Sequence, residues 1–228
     1  MTVGVAAGTH VGLRKKRNED SHFVGSHLVA IADGMGGYVS GDVASQTVIG
    51  ALAPFDREVD PDQLCSALGQ AVEAASLAMR QRIVSDPAVA GMGTTLVAVM
   101  WSGEHFALAN IGDSRAYLLR EGRLTQLTDD HVYGRLVSTA GKVPTLPERL
   151  SRFLDGRIDG RSPDLSPISV VPGDRLLLCS DGLSSYVPDE VILGELIGVD
   201  AAVAISRLIG LTLEAGAPDN VTILVVDL

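Results

Sequence analysis

Two apolar runs in this sequence end in the same way, on an aspartate that is followed by a glycine. The first, LVAIADG, ends on Asp33 and Gly34, and the second, LLLCSDG, ends on Asp181 and Gly182. Unbroken apolar runs of this kind are typical of buried strands. A carboxylate at the buried end of such a strand costs several kcal/mol unless it is paired or bound to a metal ion.

The order of the predicted elements indicates the fold class. The elements are strands near 3–10, 21–25 and 27–32, helices over 41–53 and 61–85, a strand at RLLLCSD, two helices within 188–216 and a strand at NVTILVVDL. Between them lie four β-rich runs, TTLVAVMW, HFALANI, RAYLLR and RLTQLT, whose short turns favour an antiparallel meander. Residues 130–162 show no regular pattern. Because strands and helices do not alternate regularly, we expect an α+β fold in which helices cover sheets.

The composition limits the class of protein. Hydrophobic residues make up 46% and charged residues 20% of the 228 residues, and no linker or repeat divides them, so we expect one domain over 1–228. The net charge of −10 and the aromatic content of 4% argue against binding to nucleic acid. We find no signal-peptide pattern, no segment apolar enough to span a membrane, and only two cysteines, Cys65 and Cys179. A monomeric, cytoplasmic protein without a membrane partner is therefore expected.

Three further carboxylates stand beside predicted strands. Asp219 lies in APDNVTILVV, directly before the closing strand, and Glu19 and Asp20 lie in NEDS. If these segments are neighbours, four or five carboxylates meet at one edge, where like charges either retain a proton or recruit a cation. A site made of oxygen ligands alone selects a hard ion such as Mg²⁺ or Mn²⁺, and Gly34 would let its carbonyl approach that ion. Each Asp-Gly pair taken alone is more often a turn, and the sequence leaves open whether the segments converge.

Six segments of the chain together resemble the metal-dependent serine/threonine protein phosphatases of the type 2C (PPM) family, in particular the compact bacterial members. They are RNEDS, ADGMGGYVSGDVAS, MGTTLVA, ANIGDSRAYLLREGRLTQLTDDH, LLLCSDGL and DNVTILVV, and they follow the family's order over nearly the whole chain. The resemblance implies a four-layer αββα sandwich, in which two antiparallel sheets are flanked by helix pairs. It also implies a binuclear metal site at one end of the sandwich.

The resemblance implies a role for four residues at that metal site. Asp33 would bridge two metal ions. Asp181 and Asp219 would complete the shell of one ion, and the Gly34 carbonyl would bind the other. Two divalent ions about 4 Å apart lower the pKa of a bridging water, so that the metal-bridging hydroxide attacks phosphorus in line and no covalent enzyme intermediate forms.

The resemblance also extends to carboxylates outside this inner set. Glu19 and Asp20 would hold metal-bound waters or act as ligands themselves. Asp130, in TDDH, would help to form a third and weaker metal site. Asp113 and Arg115, in GDSRAY, are interpreted instead as residues that hold a hairpin together.

A basic run before NEDS is predicted to bind the substrate phosphate. Family members place an arginine four residues before the glutamate of the ED pair. In this sequence that position is Lys15, and a slipped register would bring in Arg14 instead. A lysine supplies the charge but not a bidentate fork. The position after DGMGG, which is usually a histidine in the bacterial members, is Tyr38.

These features predict an enzyme that uses Mn²⁺ or Mg²⁺, two ions per chain, to hydrolyse phosphoserine or phosphothreonine in proteins. Its partners would be a serine/threonine kinase and the targets of that kinase. Three alternatives stay open. One is a pseudophosphatase that binds phosphoproteins with weak or no turnover, which Lys15 and Tyr38 motivate; the others are a phosphatase of an anti-sigma switch and a structural Ca²⁺ site without catalysis.

Overall fold

Two antiparallel β-sheets form the centre of the protein in the computed structural model, which describes residues 2–35, 40–133, 150–157 and 162–228. The first sheet has the spatial order β1 (Gly4–His10), β11 (Val221–Asp227), β10 (Arg175–Cys179), β7 (Arg115–Arg120) and β8 (Arg123–Gln126). The second has the order β2 (Asp20–Val24), β3 (Leu28–Met35), β5 (Leu96–Ser102), β6 (His105–Ile111) and β9 (Asp164–Ile168), with β4 (Gly93–Thr94) paired to β3.

Helices cover the outer face of each sheet. Those on the second sheet are α1 (Gly41–Leu52) and α2 (Leu64–Ser85), whereas the one-turn helix α3 (Asp181–Ser184), α4 (Asp189–Leu196) and α5 (Ala201–Glu214) accompany the first. Three apolar clusters fill the spaces between the layers. One lies between the second sheet and its helices, one between the two sheets, and one between the first sheet and its helices. The predicted four-layer αββα sandwich is thus confirmed. Within the residues described, no helix combines the length and apolarity that crossing a membrane requires.

The run LVAIA is apolar throughout because β3 is buried on both faces. Leu28, Ala30 and Ala32 pack towards α1 and α2, whereas Val29 and Ile31 pack against the other sheet. Side chains alternate along a strand, so Asp33 continues the row that faces the space between the sheets. The strand therefore delivers this carboxylate to the end of the sandwich.

The structure differs from the sequence-based expectations in two places. The helix predicted from residue 61 begins with a short 3₁₀ turn, Pro61–Gln63, in which the Asp62 N–H donates to the Asp60 side chain, and α2 follows it. Strand β9 was not expected, because its residues are exposed and include Pro167. Such a sequence carries no apolar alternation, and proline is tolerated in an edge strand, which is the position of β9.

Candidate metal centre

One cavity at the end of the sandwich collects the carboxylates that follow the strands. Its volume is about 520 Å³. Its walls include Glu19 from the loop before β2, Asp33 from β3, Asp181 from the start of α3 and Asp219 from the segment before β11. The predicted convergence of these segments is therefore what the structure shows, although they are up to about two hundred residues apart in the chain.

Asp20 joins the two sheets beside this cavity. It lies directly opposite Asp33 in the β2–β3 pairing. Its Oδ2 accepts hydrogen bonds from Ser180 Oγ at 2.8 Å and Thr222 Oγ1 at 2.7 Å, both on the other sheet's side. Burial outweighs these bonds and, with the charges of Asp181 and Asp219, raises the pKa of Asp20 to about 6. Asp20 thus binds the layers together while it adds negative charge behind Asp33.

The surroundings of the cavity carboxylates disfavour their charged form. Burial raises the pKa of Asp33 well above its usual range, and the charges of Asp20 and Asp181 add to this effect. Burial, followed by the charge of Asp219, also raises the pKa of Asp181. The Oδ1 atoms of Asp20 and Asp181 are buried and have no hydrogen-bond partner among the residues described. A buried cluster of this kind needs protons or a cation.

The donor atoms fit a hard divalent cation. They are carboxylate oxygens, with the Gly34 peptide also in the cavity wall, and no imidazole or thiol lines it among the described residues. In the described part of the chain, no three carboxylate, imidazole or thiol groups already stand close enough to hold an ion. The orphaned Oδ1 of Asp181 and the mutual repulsion of the carboxylates indicate that a cation would draw them together.

The glycines after Asp33 and Asp181 are required by close backbone contacts. A Cβ on Gly34 would overlap the carbonyl oxygen of Gly41, and one on Gly182 would overlap the carbonyl oxygen of Asn220. The two Asp-Gly pairs therefore do more than form turns. They let neighbouring main chains approach until the carboxylates share one cavity.

Lys15 reaches the cavity, whereas Arg14 does not line it. Lys15 Nζ lies 2.6 Å from Asp219 Oδ1 and 4.0 Å from Glu19 Oε2. Burial acts to lower the pKa of Lys15, but the bond to Asp219 and the nearby negative charges outweigh it and raise the pKa. Asn220 fixes the loop that carries Lys15, because its side chain accepts from the Glu19 N–H and donates to the carbonyls of Val11 and Arg17.

The structure does not bring Asp130 to this cavity. Both of its oxygens accept hydrogen bonds from Arg115, at 2.7 to 3.2 Å, and Gln126 donates to Oδ1 as well. Asp113 lines the cavity instead. Burial and the charge of Asp181 raise the pKa of Asp113 to about 7. The interpretation of Asp113 as a hairpin residue did not place it at this cavity, because Gly112 and Asp113 follow β6 in the reverse order of the two Asp-Gly pairs.

Two parts of the sequence-based account lie outside the described residues. Tyr38, which replaces the usual histidine of the family, belongs to 36–39. Most of the irregular run 130–162 also falls outside. Two of its described residues, Leu150 and Phe153, contribute to the cavity wall.

Mn²⁺ binding at this cavity is expected to weaken as the pH falls. The pKa values are raised to about 6 for Asp20 and about 7 for Asp113, so these carboxylates take up protons as the pH falls through this range. A cation must then displace those protons in order to bind. The affinity should drop by roughly ten- to a hundredfold between about pH 7.5 and about pH 5.5. Calorimetric titration in two buffers of different ionisation enthalpy would measure both the affinity and the protons released. Equal affinity at the two pH values would contradict this prediction.

Comparison with known proteins assigns the chain to a family. A family model described as Protein phosphatase 2C matches residues 7–197. Serine/threonine protein phosphatase PstP of Mycobacterium tuberculosis is 43% identical over 229 residues, which cover 97% of this chain and 44% of that protein. Serine/threonine phosphatase stp of Listeria monocytogenes is 30% identical over 239 residues, which cover 96% of this chain and 93% of that protein. The chain thus spans less than half the length of its mycobacterial relative.

Solved structures agree with this assignment. The crystal structure of the Mycobacterium tuberculosis serine/threonine phosphatase PstP/Ppp has a TM-score of 0.94 and 42% identity, and covers 100% of this chain and 99% of that one. A structure of the catalytic domain of PstP in complex with two manganese ions has a TM-score of 0.91 and 43% identity, and covers 99% and 97%. The resemblance stated from the sequence is confirmed, and the chain belongs to the protein phosphatase 2C family.

Proposed function

We propose that this chain is a metal-dependent phosphatase that hydrolyses phosphoserine and phosphothreonine in proteins. The observation that carries the proposal is the cavity in which Asp33, Asp181 and Asp219 meet Lys15. The relatives named above are called serine/threonine phosphatases, and one of their structures contains two manganese ions. That structure is described as a catalytic domain, which supports residues 1–228 as one catalytic domain.

The carboxylates would hold two Mn²⁺ or Mg²⁺ ions. Asp33 would lie between the ions, with Asp181 and Asp219 on one and the Gly34 carbonyl on the other. Glu19 stands at the rim, where it can hold water or act as a ligand, and Asp20 supports Asp33 from behind. Two divalent cations bound here would lower the pKa of a water between them and offset the charge of the phosphate.

A third and weaker site would use Asp113 in place of Asp130. Asp113 already lines the cavity beside Asp181, whereas the oxygens of Asp130 are occupied by Arg115. A carboxylate that shares two donors of a guanidinium gains little from leaving it for a cation.

Lys15 would bind the substrate phosphate. Its ammonium group now pairs with Asp219, so a cation that takes Asp219 would free Lys15 to donate to a phosphate oxygen. Cations would compete with protons for Asp33 and Asp181, since burial raises the pKa of both carboxyls. The Lys15–Asp219 ion pair of the metal-free protein would thus be replaced by a cation on Asp219 and a phosphate on Lys15.

A thiol nucleophile does not fit this protein. Cys179 lies inside β10, and burial raises the pKa of its thiol to about 12. Cys65 lies at the start of α2 and does not line the cavity. Both cysteines are free, in keeping with a reducing compartment, and we place the activity in the cytoplasm, in a monomer that opposes a serine/threonine kinase.

The replacement of Lys15 by alanine is expected to lower kcat/KM for a phosphothreonine peptide by roughly ten- to a hundredfold, mainly through KM. The reason is that one charge-assisted hydrogen bond to the phosphate contributes about 1.5–3 kcal/mol. Arg14→Ala and Lys16→Ala are matched controls from the same exposed run and should stay within about twofold of wild type. If Arg14→Ala has the larger effect, the assignment of Lys15 is wrong.

The function is tested by hydrolysis of phosphoserine, phosphothreonine and phosphotyrosine peptides with Mn²⁺, Mg²⁺, Ca²⁺ or EDTA. We expect turnover of the first two peptides with Mn²⁺ or Mg²⁺ and none with EDTA. Tight binding of a phosphopeptide without turnover under any of these conditions would replace this proposal with a pseudophosphatase.

A further inference from the structure

A groove runs beside α2, away from the carboxylates of the candidate metal centre. Two adjoining cavities of about 430 and 340 Å³ follow the exposed side of this helix from Val72 to Val84. Leu77 and Val84 on that side are 54% and 75% exposed, so this helix face presents two large apolar side chains, seven residues apart, to solvent. We call the space lined by Val72 to Val84 of α2 and by Phe153 to Arg157 the α2 groove.

The second wall of the α2 groove is attached firmly to the fold. Thr94 and Leu154 exchange both backbone hydrogen bonds, at 2.8 and 2.9 Å. At Gly156, which has φ +75°, a Cβ would lie 2.8 Å from the backbone nitrogen of Arg80, so the wall touches the helix main chain there. The groove is therefore a defined feature of the surface rather than a gap between unconnected segments.

Phe153 connects the α2 groove with the candidate metal centre. Its ring packs on Gly93 and lines both the carboxylate cavity and the nearer of the two groove cavities. A polypeptide whose phosphorylated residue enters the metal centre would thus pass Phe153 before it reaches α2. The span of twelve helical residues is about 18 Å, which five or six extended residues can cover.

The part of the α2 groove beside Phe153 carries a small positive excess in a chain whose net charge is −10. Among the described residues, the charged side chains that line this cavity are Arg80, Arg157 and Asp155. Arg157 is 66% exposed and shares Asp155 at 3.5 Å, and Arg80 makes no ion pair within the described part of the chain. The groove's other carboxylate, Glu73, lies two turns before Arg80 and away from Phe153.

We propose that the α2 groove binds the extended segment of the phosphoprotein substrate that flanks its phosphorylated residue, and that it selects acidic side chains at Arg80. An apolar side chain of the same segment would cover Leu77 and Val84. The acidic residues lie close to the phosphorylated one, because Glu73 repels them from the far end. This inference rests on the proposed function and names its substrate class.

The test compares Arg80→Glu with Arg82→Glu. Arg82 lies on the same helix and is also exposed, but it pairs with Asp86 and does not line the groove. Two phosphothreonine peptides of equal length are used, one with acidic residues and one with glutamines on either side of the phosphothreonine. The ratio of their kcat/KM values cancels any general loss of activity or of folded protein.

In wild type the acidic peptide should be preferred about five- to tenfold, and the preference should shrink in high salt. Arg80→Glu should reduce the ratio to about one or below, whereas Arg82→Glu should leave it unchanged. Equal kcat/KM values for the two peptides in wild type, or an equal change of their ratio in the two variants, would overturn the proposal.

Two further measurements separate this inference from the proposed function. Hydrolysis of p-nitrophenyl phosphate by wild type with Mn²⁺ reports catalysis without any peptide contact. Fluorescence anisotropy of the labelled acidic peptide in EDTA reports binding without catalysis. If no substrate is turned over, a five- to tenfold weaker binding to Arg80→Glu than to Arg82→Glu still supports the groove, and equal binding overturns it.

Discussion

Asp33→Asn is expected to abolish phosphatase activity and, at the same time, to stabilise the metal-free protein. We expect kcat to fall by at least about a thousandfold, or about 4 kcal/mol, because the amide cannot bridge two cations. The metal-free protein should gain about 1–3 kcal/mol at pH 8, since a buried carboxylate among other carboxylates is removed. Urea denaturation in EDTA and peptide hydrolysis in Mn²⁺ measure the two effects.

The pH dependence of this stabilisation has a definite sign. The folded protein holds the proton of Asp33 more tightly than the unfolded chain does, since the pKa is raised on folding. Asp33 therefore makes wild type lose stability as the pH rises above the unfolded pKa of about 3.9, and Asp33→Asn lacks this contribution. The gain should be largest at about pH 8 and should vanish near pH 4.

Asp130→Asn is the matched control for Asp33→Asn. The chemical change is identical, but Asp130 accepts three hydrogen bonds from Arg115, so this variant should be destabilised by about 1–3 kcal/mol. A metal-free Asp33→Asn protein that is also less stable than wild type at pH 8 would contradict the crowded-carboxylate account of the cavity.

Gly182→Ala is expected to have the largest effect on folding. The added Cβ would overlap the carbonyl oxygen of Asn220, which belongs to a backbone that cannot move without displacing β11. We expect a loss of about 4 kcal/mol or more, in the range where a small domain becomes largely unfolded. Soluble yield and urea denaturation would measure this loss of stability.

The control for Gly182→Ala is Gly194→Ala, inside α4. A Cβ there would meet nothing within 4 Å, and alanine is favoured over glycine in a helix by about 1 kcal/mol, so the variant should be more stable than wild type. Gly8→Ala should fall between the two, because the atoms it meets belong to the side chains of Ile205 and Ile209. A Gly182→Ala protein within about 1 kcal/mol of wild type would show that the close approach after β10 is not required.

The strand ends could be predicted from the sequence because their signal is local. An apolar run buried on both faces and stopped by Asp-Gly identifies Asp33 and Asp181 without any knowledge of the neighbours, and the sandwich then brings them together. The same rule does not find Asp113, because HFALANI is followed by Gly112 and Asp113 in the reverse order, which is also typical of a hairpin turn.

Two other positions depended on contacts that no local pattern contains. Asp130 and Asp113 both lie in polar turns, and only the folded β7–β8 hairpin shows that Arg115 takes Asp130. Lys15 rather than Arg14 lines the cavity, and Asn220 holds the loop that carries it from two hundred residues away. Strand β9 was missed since an exposed edge strand lacks the apolar alternation that strand prediction needs.

The measurement that tests the central claim most directly is an anomalous-diffraction map at the manganese edge from crystals of the chain grown with Mn²⁺. We predict two peaks in the cavity, with Asp33 between them and Asp181 and Asp219 on one of them, and Lys15 turned away from Asp219. A map with no peak in this cavity, or with manganese bound only elsewhere on the protein, would contradict the account.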